Sequence, residues 1–525
     1  MYRSILTALK RLVILVLVVL LSVLGMRAWD AWRGAPLHAW HTFEPHELTA
    51  AQIDATDWKG YLAAENALFD EVKRNVTDKL PPEDQTATNR YYAGAPIYPG
   101  RFATDWNRSY QMAPDGPVVG TVVMLHGLTD SPYSLRHIAR VYRSQGFYVV
   151  AIRLPGHGTV PSGLSHVQWA DWMAATRLAV REARMHADPH APLHLVGFSN
   201  GGALAMKYAL DAIEDPKLAR PDRLILISPM IGITRFARFA GIAGLPAMLP
   251  PFARASWLDV VPEFNPFKYN SFPVNGARQA YRLTDALQSQ LQRLGQSNQL
   301  GSIAPVLTFQ SVVDFTVSTA AVMRSLYGLL PDNGSEIVLF DVNRDPVFDV
   351  LMRPTSSRAL SRVLPTGPQR FRITVLGSVP PDDAIVETTI EAHSTEVRTR
   401  PLPLHYPPGV FSMSHVSLPF PLDDSLYGTT PNPNEFYGTH LGTQAPRGER
   451  GALVLNIDAM MRMASNPFFA YVLDRVRELI ANPAPPPSHG ETASEKPPSD
   501  AEREAMEKAF EESDDIDANG AHVPW

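Results

Sequence analysis

The sequence predicts an α/β fold: a mostly parallel sheet with helices on both faces and a helical block inserted between two of its strands. Three observations carry this expectation. From Gly120 onward, short β-branched, apolar runs alternate with helix-compatible stretches at the spacing of βαβ units. One alternation is abrupt, the apolar run Leu193, Leu195 and Val196 giving way within a few residues to Ala203–Ile213. At Ile231 the alternation stops, and it resumes only at Val306.

Taken in order, the chain opens on Arg3, Lys10 and Arg11, then Leu12–Met26, fifteen residues without a charge, then Arg27, Trp29 and Trp32. Counted from Ile5, with Lys10 and Arg11 snorkelling, the stretch reaches spanning length. A good small-x-small cleavage site is missing, Val23-Leu24-Gly25 being a poor one, so residues 1–33 read as an uncleaved signal anchor. The basic side lies N-terminal and the tryptophans suit an interface, so the globular part is expected to be extracytoplasmic, or secreted if the segment is cleaved. Residues 34–90, with helical periodicity over Trp58–Val72, read as a juxtamembrane spacer that packs on the domain.

Residues 91–230 form the first part of the predicted core. Tyr91–Pro117 is rich in turn formers and aromatics, as short lead-in strands would be. Strands are expected at Thr121–Leu125, Phe147–Arg153 and Arg223–Ser228, and helices at Ser134–Ser144 and His166–Met185. Residues 231–304 are Pro-broken and aromatic, with Phe236, Phe239, Met248, Leu249, Phe252, Trp257, Phe264, Phe267 and Phe272, and read as a helical cap. The core resumes over 305–481, with a strand at Val306–Val313 followed by Asp314, a helix at Ser318–Leu329 and a strand at Ile337–Phe340. An insertion at about 346–410 holds a helical stretch and two strand-like runs, Phe371–Val375 and Ile385–His393, the pattern of an appended hairpin. Met460–Ile480 is a final amphipathic helix, and the acidic, Pro-rich tail 482–525 has the composition of disorder.

Composition narrows the chemistry. Of 525 residues 45% are hydrophobic, enough for a sizeable core, and the net charge of −6 comes with no dense basic cluster beyond the N-terminus, which argues against nucleic acid as a partner. The chain has no cysteine, so thiol catalysis, disulfides and thiolate metal sites are excluded. No His/Asp/Glu spacing suggests a metal site and no Gly-rich phosphate loop follows a strand, so no cofactor is expected.

The abrupt strand-to-helix corner reads Gly197-Phe198-Ser199-Asn200-Gly201, the G-x-S-x-G pattern. A strand turning sharply into a helix holds its apex residue at positive φ, and glycines on either side remove the collisions this causes. A serine so placed is a poor nucleophile unless a base takes its proton, a carboxylate orients the base and donors receive the oxyanion. In such elbows the chain order is Ser, Asp or Glu, His. Asp314 ends the first strand after the cap, where the acid belongs. Six histidines follow it, His393, His405, His415, His440, His489 and His522. Two lie in the tail and His393 ends a predicted strand; His405 and His415 both lie in loop-like sequence and position does not separate them.

The segments His126-Gly127-Leu128-Thr129-Asp130-Ser131-Pro132, Arg153-Leu154-Pro155-Gly156-His157-Gly158-Thr159 and the elbow resemble α/β-hydrolases of the monoacylglycerol lipase and lysophospholipase-like group, also labelled serine aminopeptidase S33-like. Ser414-His415-Val416-Ser417-Leu418-Pro419 resembles the histidine loop of related bacterial sequences. The resemblance covers about residues 100–330 and the region near 415. It implies an α/β-hydrolase fold with Ser199 as nucleophile, Asp314 as acid, His415 as base, and the backbone N–H groups of Leu128 and Asn200 as oxyanion hole. It gives His126 a structural role, and His157 likewise belongs to a turn. The chain departs from the group in the interval of about a hundred residues between Asp314 and His415, in its N-terminal segment and in its tail. The expected activity is hydrolysis of carboxylic esters, of monoacylglycerol or lysophospholipid type, with cap residues such as Phe264 and Phe267 favouring longer acyl chains. An aminopeptidase or amidase on the same residues, and a non-catalytic scaffold of the same fold, are the alternatives.

Overall fold

A computed structural model describes residues 2–232, 247, 250–314, 316–344, 354–378, 384–407, 410–443 and 465–482. The apolar runs of the sequence become one ten-stranded sheet. Its strands are β1 (Tyr110–Met112), β2 (Gly120–Leu125), β3 (Phe147–Ile152), β4 (Leu193–Phe198), β5 (Arg223–Ile227), β6 (Val306–Ser311), β7 (Glu336–Phe340), β8 (Arg372–Ser378), β9 (Ala384–Ile390) and β10 (Val397–His405). In space they run β1-β3-β2-β4-β5-β6-β7-β8-β9-β10. Every pairing from β3 to β8 is parallel, and the antiparallel strands β1, β9 and β10 stand at the two edges.

Strand residues alternate between faces, and each set finds its own helices. Val123, Leu125, Leu193 and Leu195 bury one face under α4 (Trp169–Met185), α5 (Asn200–Glu214) and α6 (Val274–Gln296). Val122, Met124, Val196 and Phe198 bury the other under α3 (Arg136–Ser144) and α7 (Phe469–Ala481). The central strands are covered on both faces, as a parallel sheet requires.

The helix α1 (Tyr2–Arg33) contains Leu9–Arg33, long and apolar enough to cross a membrane, a feature shared by anchors and signal sequences. The segment expected as a spacer joins the core. Ile53, Trp58 and Tyr61 lie in the same buried cluster as β2 and α5, and α2 (Trp58–Asn75) is capped by the Asp57 carboxylate accepting from the Gly60 N–H at 2.7 Å.

Two expectations are corrected and one is extended. The two strand-like runs of the insertion do pair antiparallel with each other, as a hairpin, but β8 also pairs in parallel with β7, so the hairpin continues the central sheet, and β10 extends it further. Strand β10 escaped notice because Pro401 and Pro403 argue against a strand, yet prolines are tolerated on an edge whose outer side has no partner strand among the described residues. Val274–Gln296, assigned to the cap, is instead the core helix α6, whose Leu283, Leu287, Leu291 and Leu294 stripe is fully buried. That leaves 231–273 for a cap, of which 233–246 and 248–249 lie outside the described residues. Finally, Phe264 and Phe267 do not offer an acyl lining. They are sealed in an aromatic cluster with Trp106, Tyr133, Tyr427 and Tyr437, the Phe267 ring stacked on Tyr133 at 4.2 Å. The tail from 483 and residues 460–464 of the final predicted helix lie outside the described residues.

Buried histidines make this fold acid-sensitive. Burial, with Arg223 nearby, lowers His194 on β4 from its ordinary 6.5 to about 3, and burial lowers His157 likewise to about 3. Both rings stay neutral in the folded protein and protonate only on unfolding, so the unfolded state binds more protons and stability falls as pH drops from 6.5 toward 3. At pH 5 the loss is on the order of 2 kcal/mol per ring. Denaturant midpoints measured between pH 7.5 and 5 should fall accordingly; a flat profile would mean that these rings are charged in the native state.

Candidate active site

The corner between β4 and α5 is built by exclusion. A Cβ on Gly201 would lie 1.9 Å from the Leu125 carbonyl oxygen, and one on Gly197 would lie 2.3 Å from the Gly201 carbonyl oxygen. With neither Cβ present, the first turn of α5 presses against the ends of β2 and β4. Ser199 then turns at φ 53°, ψ −114°, a strained conformation for a non-glycine residue costing about 1–3 kcal/mol. Its backbone offsets the strain: the Ser199 N–H donates to Ile227 O at 2.9 Å, and Ser199 O accepts from Met230 N at 3.0 Å and from Gly202 N at 3.0 Å. The side chain stands at the N-terminus of α5, where the helix dipole favours developing negative charge.

Ser199, His415 and Asp314 lie in one hydrogen-bonded line. His415 Nε2 is 3.0 Å from Ser199 Oγ, and its Nδ1 is 2.9 Å from Asp314 Oδ2. The Asp314 contact makes Nδ1 the protonated nitrogen, which leaves Nε2 as acceptor for the serine hydroxyl. Asp314 Oδ1 accepts from the N–H groups of Thr316 at 2.8 Å and Val317 at 3.0 Å, and Oδ2 from Gln310 Nε2 at 3.2 Å. Burial alone would raise this carboxyl, but His415 and the two N–H groups outweigh it and hold Asp314 below the usual carboxylate range. The imidazole sits in a short turn, His415–Ser417, and Phe198 stacks on it at 5.3 Å. His405, the other loop candidate, is exposed at the end of the edge strand β10, opposite Ala384. His393 is exposed and pairs with Asp332, and His440 bonds the Ser425 carbonyl. His489 and His522 lie outside the described residues.

The loop after β2 reaches the same place. A Cβ on Gly127 would lie 3.4 Å from Ser199 Cβ, so Leu128, the next residue, is carried past the serine, while Asn200 opens α5 directly after it. The loop is held by Asp130, whose Oδ2 accepts from the Gly127 N–H at 3.3 Å, and by Tyr269, whose N–H donates to Thr129 O at 2.7 Å. His126 is a brace: Nδ1 donates to Gly127 O at 2.9 Å and Nε2 accepts from the Leu154 N–H at 3.0 Å. Burial and the neighbouring His157 push its pKa well down, so the ring stays neutral.

Two buried arginines fix the surrounding loops, and sequence reasoning gave neither a role, although Arg153 opens one of the family-like segments. Arg153 binds Glu47 through two nitrogens, at 2.8 and 3.0 Å, and Glu65 at 3.3 Å, and donates to His157 O at 3.0 Å. Burial works against its charge, but Glu47, Tyr61 and Glu65 hold its pKa well above the ordinary arginine value. Arg136 donates to Asp424 at 2.8 Å, and Asp424 also accepts from Tyr133, His137 and the N–H groups of Leu426 and Tyr427. Burial opposes the Asp424 charge too, yet Arg136 and His137 hold the carboxyl far below its usual range. The partners stand 106 and 288 positions apart, so nothing local in the sequence announces them.

Residues 116–341 match the family model described as Serine aminopeptidase, S33. Over 208 residues, 39% of this chain and 74% of the relative, the chain is 26% identical to a thermostable monoacylglycerol lipase of Bacillus sp. (strain H-257). Over 116 residues, 22% of this chain and 42% of the relative, it is 26% identical to the phospholipase YtpA of Bacillus subtilis (strain 168). A solved structure of a soluble variant of the monoglyceride lipase of Saccharomyces cerevisiae superposes with a TM-score of 0.34 at 14% identity, covering 44% of this chain and 81% of the other. The family match includes Ser199 and Asp314 and stops short of His415.

Two substitutions test this account of the site. Gly201→Ala places its methyl group against backbone, and should remove folded protein or cost more than about 4 kcal/mol; Gly116→Ala, where a Cβ meets nothing within 4 Å, is the control in the same thermal melt. Phe267→Ala should cost about 3–5 kcal/mol of stability in denaturant titration, as emptying a core does, and leave the acyl preference of the surviving enzyme unchanged.

Proposed function

We propose that this chain, a member of the α/β-hydrolase superfamily and an ester hydrolase of lipase-like kind, is a membrane-anchored serine hydrolase that cleaves single acyl esters of monoacylglycerol or lysophospholipid type. The observation that carries this reading is the Ser199–His415–Asp314 line, with its 3.0 and 2.9 Å contacts. In this reading His415 Nε2 takes the Ser199 proton as Oγ attacks the acyl carbon, and Asp314 stabilises the imidazolium through Nδ1. The tetrahedral oxyanion is received by the N–H groups of Leu128 and Asn200. His415 returns the proton to the departing alcohol, leaving an acyl-enzyme on Ser199. Water, deprotonated by the same ring, then releases the fatty acid.

The lipid side of the proposal is supported by the names of the two bacterial relatives and by α1, read as a signal anchor that holds the catalytic domain outside the cytoplasm. An amide substrate is the second reading, favoured by the description of the matching family model.

A fluorophosphonate probe should label the wild type and fail to label Ser199→Ala, which should also lose at least about a thousandfold in ester hydrolysis. His415→Ala should be nearly as inactive, since nucleophile and base act as a unit, while His405→Ala keeps activity within a few fold. Full labelling of Ser199→Ala would end the proposal. Across p-nitrophenyl esters of four to eight acyl carbons, the specificity constant should rise by up to about two-hundredfold, if each added methylene contributes about 0.8 kcal/mol. Faster turnover of aminoacyl anilides than of any ester would favour the amide reading.

A further inference from the structure

Arg27 is the first charged residue after the apolar run Leu12–Met26, the position at which the helix of the proposed anchor would leave a bilayer. There it donates to the carbonyls of Trp257 at 2.7 Å and Ala255 at 3.3 Å. The contact continues inward. The Trp257 ring meets His41 edge-on at 4.9 Å, and His41 Nε2 lies 3.1 Å from Ser271 Oγ. Trp257–Asp259 and Phe272–Pro273 form a two-stranded ribbon, closed across its base by Ser271 Oγ donating to Val261 O at 3.0 Å and by the buried Glu263 carboxylate accepting from the Ser271 and Asn270 N–H groups at 2.7 and 3.0 Å. The next residue back, Tyr269, donates its N–H to Thr129 O, beside Leu128. Its hydroxyl accepts from the Thr159 N–H at 2.8 Å and donates to Gly156 O at 3.1 Å. A second route ends at the same residue, because Glu47 accepts from the Gly156 N–H at 2.7 Å.

We infer that residues 255–271 are a strap between the membrane end of α1 and the loop that carries Leu128, which sets this loop at the bilayer surface and makes a monoacyl lipid held in that same bilayer the substrate, in preference to one arriving through water. This rests on the proposed ester hydrolysis at Ser199 and on α1 remaining attached. A loop wired through Tyr269, Ser271 and Trp257 to a helix embedded in lipid keeps its geometry when that helix is seated. Arg27 is thus a positioning residue that touches no substrate, and its loss should affect bilayer-held and water-soluble esters differently.

The test uses the full-length protein reconstituted in phosphatidylcholine vesicles. A monoacylglycerol is supplied either in the enzyme's own vesicles or in separate ones, and p-nitrophenyl butyrate in the buffer reports the chemistry alone. Turnover should be at least tenfold faster for lipid in the enzyme's own vesicles. Arg27→Ala should lower that turnover at least fivefold while p-nitrophenyl butyrate hydrolysis and fluorophosphonate labelling stay within twofold. Equal turnover from own and separate vesicles by the wild type overturns the inference without any variant, which covers the case in which Arg27→Ala does not fold. Equal loss on both substrates, or on neither, overturns it too, as does wild-type protein recovered without residues 1–33. Failure of the wild type to label or to hydrolyse either ester instead removes the functional reading beneath it.

Discussion

The contact between Gly201 and the end of β2 leaves no room for even a methyl group, and the candidate site follows from it. With less than the width of a methyl group between the α5 backbone and the Leu125 carbonyl, the helix begins directly above two strand ends. Ser199 is forced to φ 53° and its side chain is lifted off the sheet. The same closeness brings Gly127 against Ser199, so the loop after β2 and the N-terminus of α5 converge on one point. Backbone donors, a hydroxyl and a helix dipole are thus brought together by packing alone, before any other side chain is considered.

The remaining parts are held by charge, and magnitudes explain why they are held in pairs. A buried arginine left unpaired costs several kcal/mol, so Arg153 without Glu47 and Glu65, or Arg136 without Asp424, would be strongly destabilising. The pairs bring little net stability over apolar packing of the same volume, but they fix which distant segments dock. Arg153 fastens the N-terminal segment to the turn that His126 and Tyr269 contact; Arg136 fastens the 424–435 loop, a few residues beyond His415, to α3. Each is a statement about register, not about strength.

What the sequence revealed and what it hid divide along the range of the interactions. The elbow, β2, β3 and β5 were legible because their signals are local: glycine spacing, β-branched runs and the abrupt change of period at Ser199. The stripe of α6 was equally visible as a helix, but its assignment to a cap failed because periodicity tells which face is apolar and not what covers it. Phe264 and Phe267 failed for the same reason: an aromatic residue reads alike whether it meets an acyl chain or Tyr133. His415 and His405 could not be separated by position, since the partner that distinguishes them, Asp314, lies 101 residues from His415 and only the folded sheet brings the two together.

That long interval is less costly than it looks. Closing a flexible loop of a hundred residues costs only about 1.5RT times the logarithm of its length, and here nearly half of that chain lies in helices and strands. The insertion leaves the end of β7 at Asp341, lays down β8 in parallel beside β7, turns back through β9 and β10, and returns to its starting point. The Tyr406 hydroxyl donates to the Asp341 carbonyl, the Asn343 N–H donates to Phe411 O at 2.8 Å and its side-chain amide to Val410 O at 3.0 Å. Only four positions separate Phe411 from His415. Measured across these bonds, the histidine emerges beside the end of β7, the strand next to the one that precedes Asp314. The added strands widen the sheet without displacing the end from which the imidazole must reach Asp314 and Ser199.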